Sequence, residues 1–249
     1  MYSHAQYVSP SSLVALLCDW VFEDKDAGSA DTAERLSQWL SPLDAIALHA
    51  AHRSIQATGK DMAPARKSIS IELDVEFRRL HNELLTSLAL PGPSTTRHSH
   101  ARHPVPPGKL IGDPDFAYTR CRQHHFEQQR LMERQIDAFR RRCRQVLAHS
   151  SQRHRQLAEL DIAMEHFFGE RERALLSKLP ALLERRFQAL KAMQHSTSTT
   201  ALLDSSTPPS QLNGWIATFE KNFHAALRAE LAHRLDPVVG MVEAFSNET

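Results

Sequence analysis

The sequence predicts an all-α protein, with a small N-terminal helical module over residues 1–90, a flexible linker over 91–114, and a long helical hairpin or bundle over 115–249. Three observations carry this reading. Residues 115–179 run for 65 positions without proline and with one glycine, Gly169. Eight glycines and three tyrosines in 249 residues are few, and the abundant Ala, Leu, Arg and Gln favour helix over sheet. Six prolines and three glycines crowd into 91–114, where little apolar surface is left to offset chain entropy.

The elements follow in chain order. Ser9-Pro10 opens a first helix, with Leu13, Leu16, Leu17, Trp20 and Val21 on one face. Asp31-x-x-Glu34 resembles a capping box and starts a second, through Leu40, with Trp39 expected to be buried. Ser41-Pro42-x-Asp44 repeats the start signal, placing a third helix over 46–57. Residues 70–90 are ambiguous, since Ile69, Ile71, Leu73, Val75 and Phe77 alternate as a strand would. The pattern Leu73, Phe77, Leu80, Leu84, Leu88 is longer and outlasts the alternation, so helix is expected.

Beyond the linker, Met132, Ile136, Phe139, Cys143 and Val146 step by four and three, a coiled-coil-like seam. Backward the seam meets Gln129, His125 and Arg122, so it reads as about two heptads. His149-Ser150-Ser151 is the expected turn. Leu157, Leu160, Met164 and Phe167 then begin a new apolar face, continued by Leu175, Leu179, Leu183, Phe187 and Leu190. Two helices folded back on each other would bury both faces. Pro180 should kink or restart the second helix after Ser177. A weak linker over 195–210 precedes a last helix over 209–234, which Asp236-Pro237 should end, leaving 238–245 as a short apolar tail.

Composition excludes several classes. A net charge of +1 is not that of a polycation built for nucleic acid or membrane. Cys18, Cys121 and Cys143 are odd in number and form no C-x-x-C, which argues against a disulfide framework or zinc finger and suits a reducing cytosol. The apolar run 13–22 is interrupted by Asp19 and has no basic residue before it, so it reads as neither signal peptide nor membrane span. A soluble, cytoplasmic chain is expected.

The strongest chemical signal is charge. From Arg120 to Arg155 there are ten arginines and three acids. The seam geometry puts Arg134 and Arg141 on the outermost stripe and sets Arg140 and Arg142 beside the core. A solvated helix accounts for such a pattern, and so does a grip on an acidic protein or a headgroup layer. Nucleic acid is the alternative, weakened by the scarcity of aromatic residues to stack bases. Arg130, Arg134, Arg140, Arg141 and Arg144 are the candidate partner-binding residues.

His98, His100 and His103 sit in the linker, with Arg102 among them and no acidic second shell, and read as a polar tract rather than a metal site. Glu230-x-x-His233 has the spacing used in di-iron bundles, but those need two such pairs and only one is present. No phosphate loop, nucleophile elbow or H-E-x-x-H occurs. No catalytic residue, metal or cofactor is expected.

Residues 31–51, DTAERLSQWLSPLDAIALHAA, resemble the N-terminal signature of an uncharacterised bacterial family, domain of unknown function 3348. Residues 157–190 (LAELDIAMEHFF…RERALLSKLPALLERRFQAL) and 223–245 (FHAALRAELAHRLDPVVGMVEAF) resemble its C-terminal half in the same order. The family has no established activity, so the resemblance carries over no catalytic residue. It implies a soluble accessory to a bacterial envelope assembly, near an inner-membrane-associated complex. The expected function is a non-enzymatic interaction or scaffold protein with an acidic protein partner. Nucleic-acid binding by the basic hairpin is the alternative, and a metal-binding or enzymatic role comes third.

Overall fold

The computed structural model describes residues 13, 15–17, 20, 42–57, 67–90, 114–201 and 214–247. The helices described along their length are α1 (Pro42–Ala57), α2 (Lys67–Ser87), α3 (Pro114–Ala148), α4 (Gln152–Leu176), α5 (Leu179–Ala201) and α6 (Gly214–Asn247). Helix is the only regular structure among the described residues. Residues 13, 15–17 and 20 are also helical, and Leu16, Leu17 and Trp20 pack against the main core. The second helix, Trp39 and most of the 91–114 segment lie outside the described residues.

α3 is the long axis of the molecule. At 1.5 Å per residue its 35 residues span about 52 Å, more than one partner covers. Pro114 starts it at a position where no backbone donor is needed, and Asp115 favours the positive end of the helix dipole. It ends at Ala148, and Ser151 caps α4 by accepting a hydrogen bond from the His154 backbone N–H at 3.3 Å. This is the turn expected at 149–151. α4 returns antiparallel along one half of α3, with Arg144 of α3 meeting Asp161 and Gln129 reaching the Leu176 carbonyl. The chain breaks at Ser177-Lys178, and α5 continues along the other half, where Tyr118 stacks on Phe187 at 4.7 Å. The break falls where Pro180 predicted it.

α6 closes the bundle. It packs on α2, α3, α4 and α5 and runs parallel to α3 and antiparallel to α2 and α4. Leu227, Leu231, Leu235, Val238, Val242 and Phe245 are all buried along it. That stripe explains why the helix continues through Pro237, against the expectation that Asp236-Pro237 ends it. A proline inside a helix costs about 3 kcal/mol. Four buried side chains beyond it, Val238, Met241, Val242 and Phe245, contribute roughly 1.5–3 kcal/mol each. Burial wins. Similarly, α5 continues through 195–201, the first part of the expected second linker.

Two further expectations are corrected. Leu160 and Met164 of α4 do not turn into the hairpin and are 44% and 43% exposed. Ala158 and Asp161 are buried instead, and Asp161 faces α3 through Arg140 and Arg144. The seam of α3 also exceeds two heptads, because Cys121, His124, His125 and Gln128 extend its buried face almost to the N-terminus. The helix before the 91–114 segment joins the same core, with Leu73, Phe77, Leu84 and Leu88 of α2 packed among residues of α3 and α6.

Leu84 tests this shared core, since it is fully buried. Leu84→Ala should lower the stability of the whole bundle by about 2–5 kcal/mol in urea unfolding. The α3–α6 core should melt earlier in the same single transition. Two separable transitions, with only the first affected, would show that α2 belongs to a unit of its own.

Candidate functional site

The ionisable side chains lie in two groups, one spent inside the bundle and one turned outward. The interior group is centred on Glu230, 0% exposed on α6. His125 of α3, 1% exposed, donates from Nε2 to Glu230 Oε2 at 2.9 Å. Gln129 Nε2 donates to Oε1 at 2.9 Å, and Arg234 donates to the same oxygen from Nε and Nη2 at 3.0 and 2.8 Å. Burial pushes the Glu230 pKa up, but the His125 hydrogen bond and the Arg234 charge outweigh it and hold the carboxyl below its ordinary value. Nδ1 of His125 is buried with no hydrogen-bond partner among the described residues.

One turn along α6, His233 points elsewhere and meets Glu172 of α4 at 3.3 Å. The two members of the Glu230-x-x-His233 pair therefore serve different interfaces. Among the described residues no group of three or more His, Cys, Asp or Glu side chains is placed to hold a metal ion. His98, His100 and His103 lie outside the described residues.

A second interior cluster joins α3 to α4. Arg140 donates from Nε and Nη2 to the two carboxylate oxygens of Asp161 at 2.9 and 2.7 Å, a bidentate pair. Arg144 donates from Nε to Asp161 Oδ2 at 2.6 Å and pairs with Glu165 as well. Both guanidinium groups are largely buried, at 13% and 15% exposed. Beside them a cleft of about 40 Å3, room for a water molecule, is lined by Glu133, Asp137, Glu165, Glu172 and Arg234. Burial, then the neighbouring Glu165 and Glu133, raises the Asp137 pKa.

The five candidate arginines thus divide. Arg140 and Arg144 are committed to the hairpin. Arg130, Arg134 and Arg141 are exposed, lie along the outer side of α3, and make no ion pair among the described residues. Arg142, exposed as well, is paired with Glu76 of α2 at 2.7 Å. The cysteines described, Cys121 and Cys143, are buried free thiols whose pKa burial pushes up to about 12, so they are protonated and not nucleophilic. An apolar hollow of about 410 Å3 lies between α1 and α4, lined by Leu48, Ile55, Leu160 and Ala163, with His49 and His52 in its wall.

Sequence reasoning missed the His125–Glu230 contact. The available signal was a histidine at a seam position whose partner lay 105 residues away.

The model of one protein family matches residues 2–247, nearly the whole chain. The chain belongs to the family described as protein of unknown function (DUF3348). The resemblance read in residues 31–51, 157–190 and 223–245 is thereby established over its full length. No curated protein and no solved structure matches this member of the family.

Two predictions follow the interior charges. Asp161→Asn leaves two largely buried guanidinium groups short of their shared counter-charge, and breaking such a cluster costs about 3–5 kcal/mol. Urea unfolding should show a loss of that size, whereas replacing an exposed acid such as Glu127 should change stability by about 0.5 kcal/mol or less. The second concerns pH. The Glu172 hydrogen bond raises the His233 pKa above its ordinary 6.5, against the opposing effect of burial. The folded state then binds a proton that the unfolded state gives up, so this contribution is full below 6.5 and fades as pH rises through the raised value. The melting-temperature difference between wild type and His233→Gln should therefore shrink from about pH 6 to about pH 9. A constant difference would mean that His233 stabilises only by packing.

Proposed function

We propose that this chain is a non-enzymatic, cytoplasmic interaction protein that binds an acidic protein partner through the outer stripe of α3. The observation that supports this reading is the separation of the arginines. Arg140 and Arg144 are consumed within the fold, while Arg130, Arg134 and Arg141 are left in solvent without an ion pair among the described residues, although Asp137 lies near enough to Arg141 to feel its charge. Their spacings of four and seven residues place them on one line about 16 Å long. A helix with acidic side chains along one face meets such a line, each exposed pair contributing about 0.2–1 kcal/mol.

We place that partner in an envelope assembly, on the cytoplasmic side of the inner membrane, a setting that rests on the family resemblance. None of the described helices is long and apolar enough to cross a membrane. On this reading any membrane association comes through the partner.

The test reverses charge where packing is not involved. The Arg134→Glu, Arg141→Glu double variant should keep its helicity and melting temperature but lose a salt-sensitive protein partner that co-purifies with wild type. Loss of helicity would return both arginines to a structural role. Micromolar binding of arbitrary DNA duplexes by wild type, falling steeply with salt and abolished in the variant, would establish the nucleic-acid alternative.

A further inference from the structure

On α3, Cys121 and His125 stand one turn apart, and both line a small void between α3, α5 and α6. Each is 1% exposed. Side chains four apart on a helix have Cβ atoms about 5–6 Å from each other and lean toward the preceding turn, so the His125 ring reaches back over Cys121. Nε2 of that ring donates to Glu230, which does not line the void. In the neutral ring Nδ1 then carries a lone pair and no proton. It is buried without a hydrogen-bond partner among the described residues, the Cys121 thiol included. Most of the remaining wall is apolar, with Pro180 and Leu183 of α5 and Phe219 and Phe223 of α6, and Phe223 meets the His125 ring edge-on at 6.2 Å. At about 10 Å3 the void is at the lower limit for a water molecule, which would also need about two to four polar partners.

We propose that Cys121 and His125 form a two-coordinate site for a soft monovalent metal ion, copper(I), with Glu230 fixing the imidazole from behind. Histidine ligands ordinarily donate their second ring N–H to a carboxylate or carbonyl, which sets the tautomer and makes the other nitrogen more basic, and Glu230 stands in that position. Metal bonds of about 2.0 Å to nitrogen and about 2.3 Å to sulfur hold the two donor atoms roughly 4 Å apart. That separation suits side chains on successive turns that are not hydrogen-bonded to each other. An ion at bonding distance also needs less room than a water at contact distance.

The donor set decides the ion. No third His, Cys, Asp or Glu joins the pair among the described residues. Zinc takes four ligands, and with a single thiolate it would leave a net positive charge against Leu183, Phe219 and Phe223. Copper(I) is soft, favours thiolate sulfur, accepts two ligands, and has its charge cancelled by one thiolate. On binding, the S–H bond of Cys121 breaks and an S–Cu bond forms, the Nδ1 lone pair makes the N–Cu bond, and the proton leaves to solvent. The oxidation state of copper does not change. Burial pushes the Cys121 thiol up to about 12, which disfavours a bare thiolate in the void but not a neutral copper thiolate. Arg122, the exposed residue of the wall, marks its solvent side.

Anaerobic titration with copper(I), supplied as its complex with a chromophoric chelator, reads stoichiometry and affinity. The full chain carrying Cys18→Ala and Cys143→Ala keeps Cys121 as its one thiol. It should take up one copper(I) per chain and release one proton. Adding Cys121→Ala should weaken uptake by more than the roughly 10–100-fold that disturbing an outer-shell partner costs. No uptake against the chelator, or an affinity unchanged by Cys121→Ala, would overturn the site. X-ray absorption of the wild-type chain loaded with one equivalent of copper(I) decides even if the variants fail to fold. One sulfur and one nitrogen neighbour support the site, and a shell lacking either overturns it.

Discussion

A carboxylate shut away from water has to be answered where it stands, and Glu230 fixes how α3 and α6 sit against each other. An unpaired charge in such a place costs several kcal/mol. Arg234, on α6 itself, answers part of that charge in any register, but the hydrogen bonds from His125 and Gln129 of α3 complete the answer only in one. Sliding α3 by one turn would move His125 and Gln129 about 5 Å from the carboxylate. The apolar stripes on either side would tolerate such a slip far better, because one leucine packs much like the next. The polar contact thus sets the register, and the leucines and phenylalanines around it supply most of the burial.

The same level of the bundle is where α4 gives way to α5. Gln129 there also approaches the Leu176 carbonyl, one of those the end of α4 leaves over. α3 is too long for one antiparallel partner, so the chain covers it in two pieces and satisfies the break between them from α3 itself. On the α4 side the contact is made by Asp161 and two arginines. On the α5 side Phe187 stacks on Tyr118 of α3 and meets Phe219 of α6, with one exposed ion pair, Lys191 to Asp115, beside them. Buried charge is thus concentrated in one half of the bundle and aromatic packing in the other.

Much of this was legible in the residues. The turn at 149–151, the break beyond Ser177 and the seam from Met132 to Cys143 follow from local composition and helical period and stand in the structure, where Leu147 rather than the half-buried Val146 ends the buried face. What was hidden depends on long-range partners. His125 and Gln128 look like the end of an apolar seam until Glu230 and Ser87 are placed opposite them. Arg140 and Arg144 look like Arg134 and Arg141 until the hairpin brings Asp161 across. Pro237 reads as a stop, and only the buried stripe on both sides of it shows why the helix runs on. For the candidate site, the sequence showed which residue types were plentiful but not which of them the fold would consume.

The placement of α6 also bears on how the core is assembled during synthesis. α6 touches four earlier helices and follows all of them in the chain. The α3–α4 hairpin, made of neighbours in sequence, can close early, but the buried faces of α2, α3 and α5 have no common partner until 214–247 have left the ribosome. Until then Phe77, Phe139 and Phe187 remain open to other chains. The nascent protein passes through a sticky stage that the finished one does not show, and its yield in the cell depends on how quickly the last helix docks.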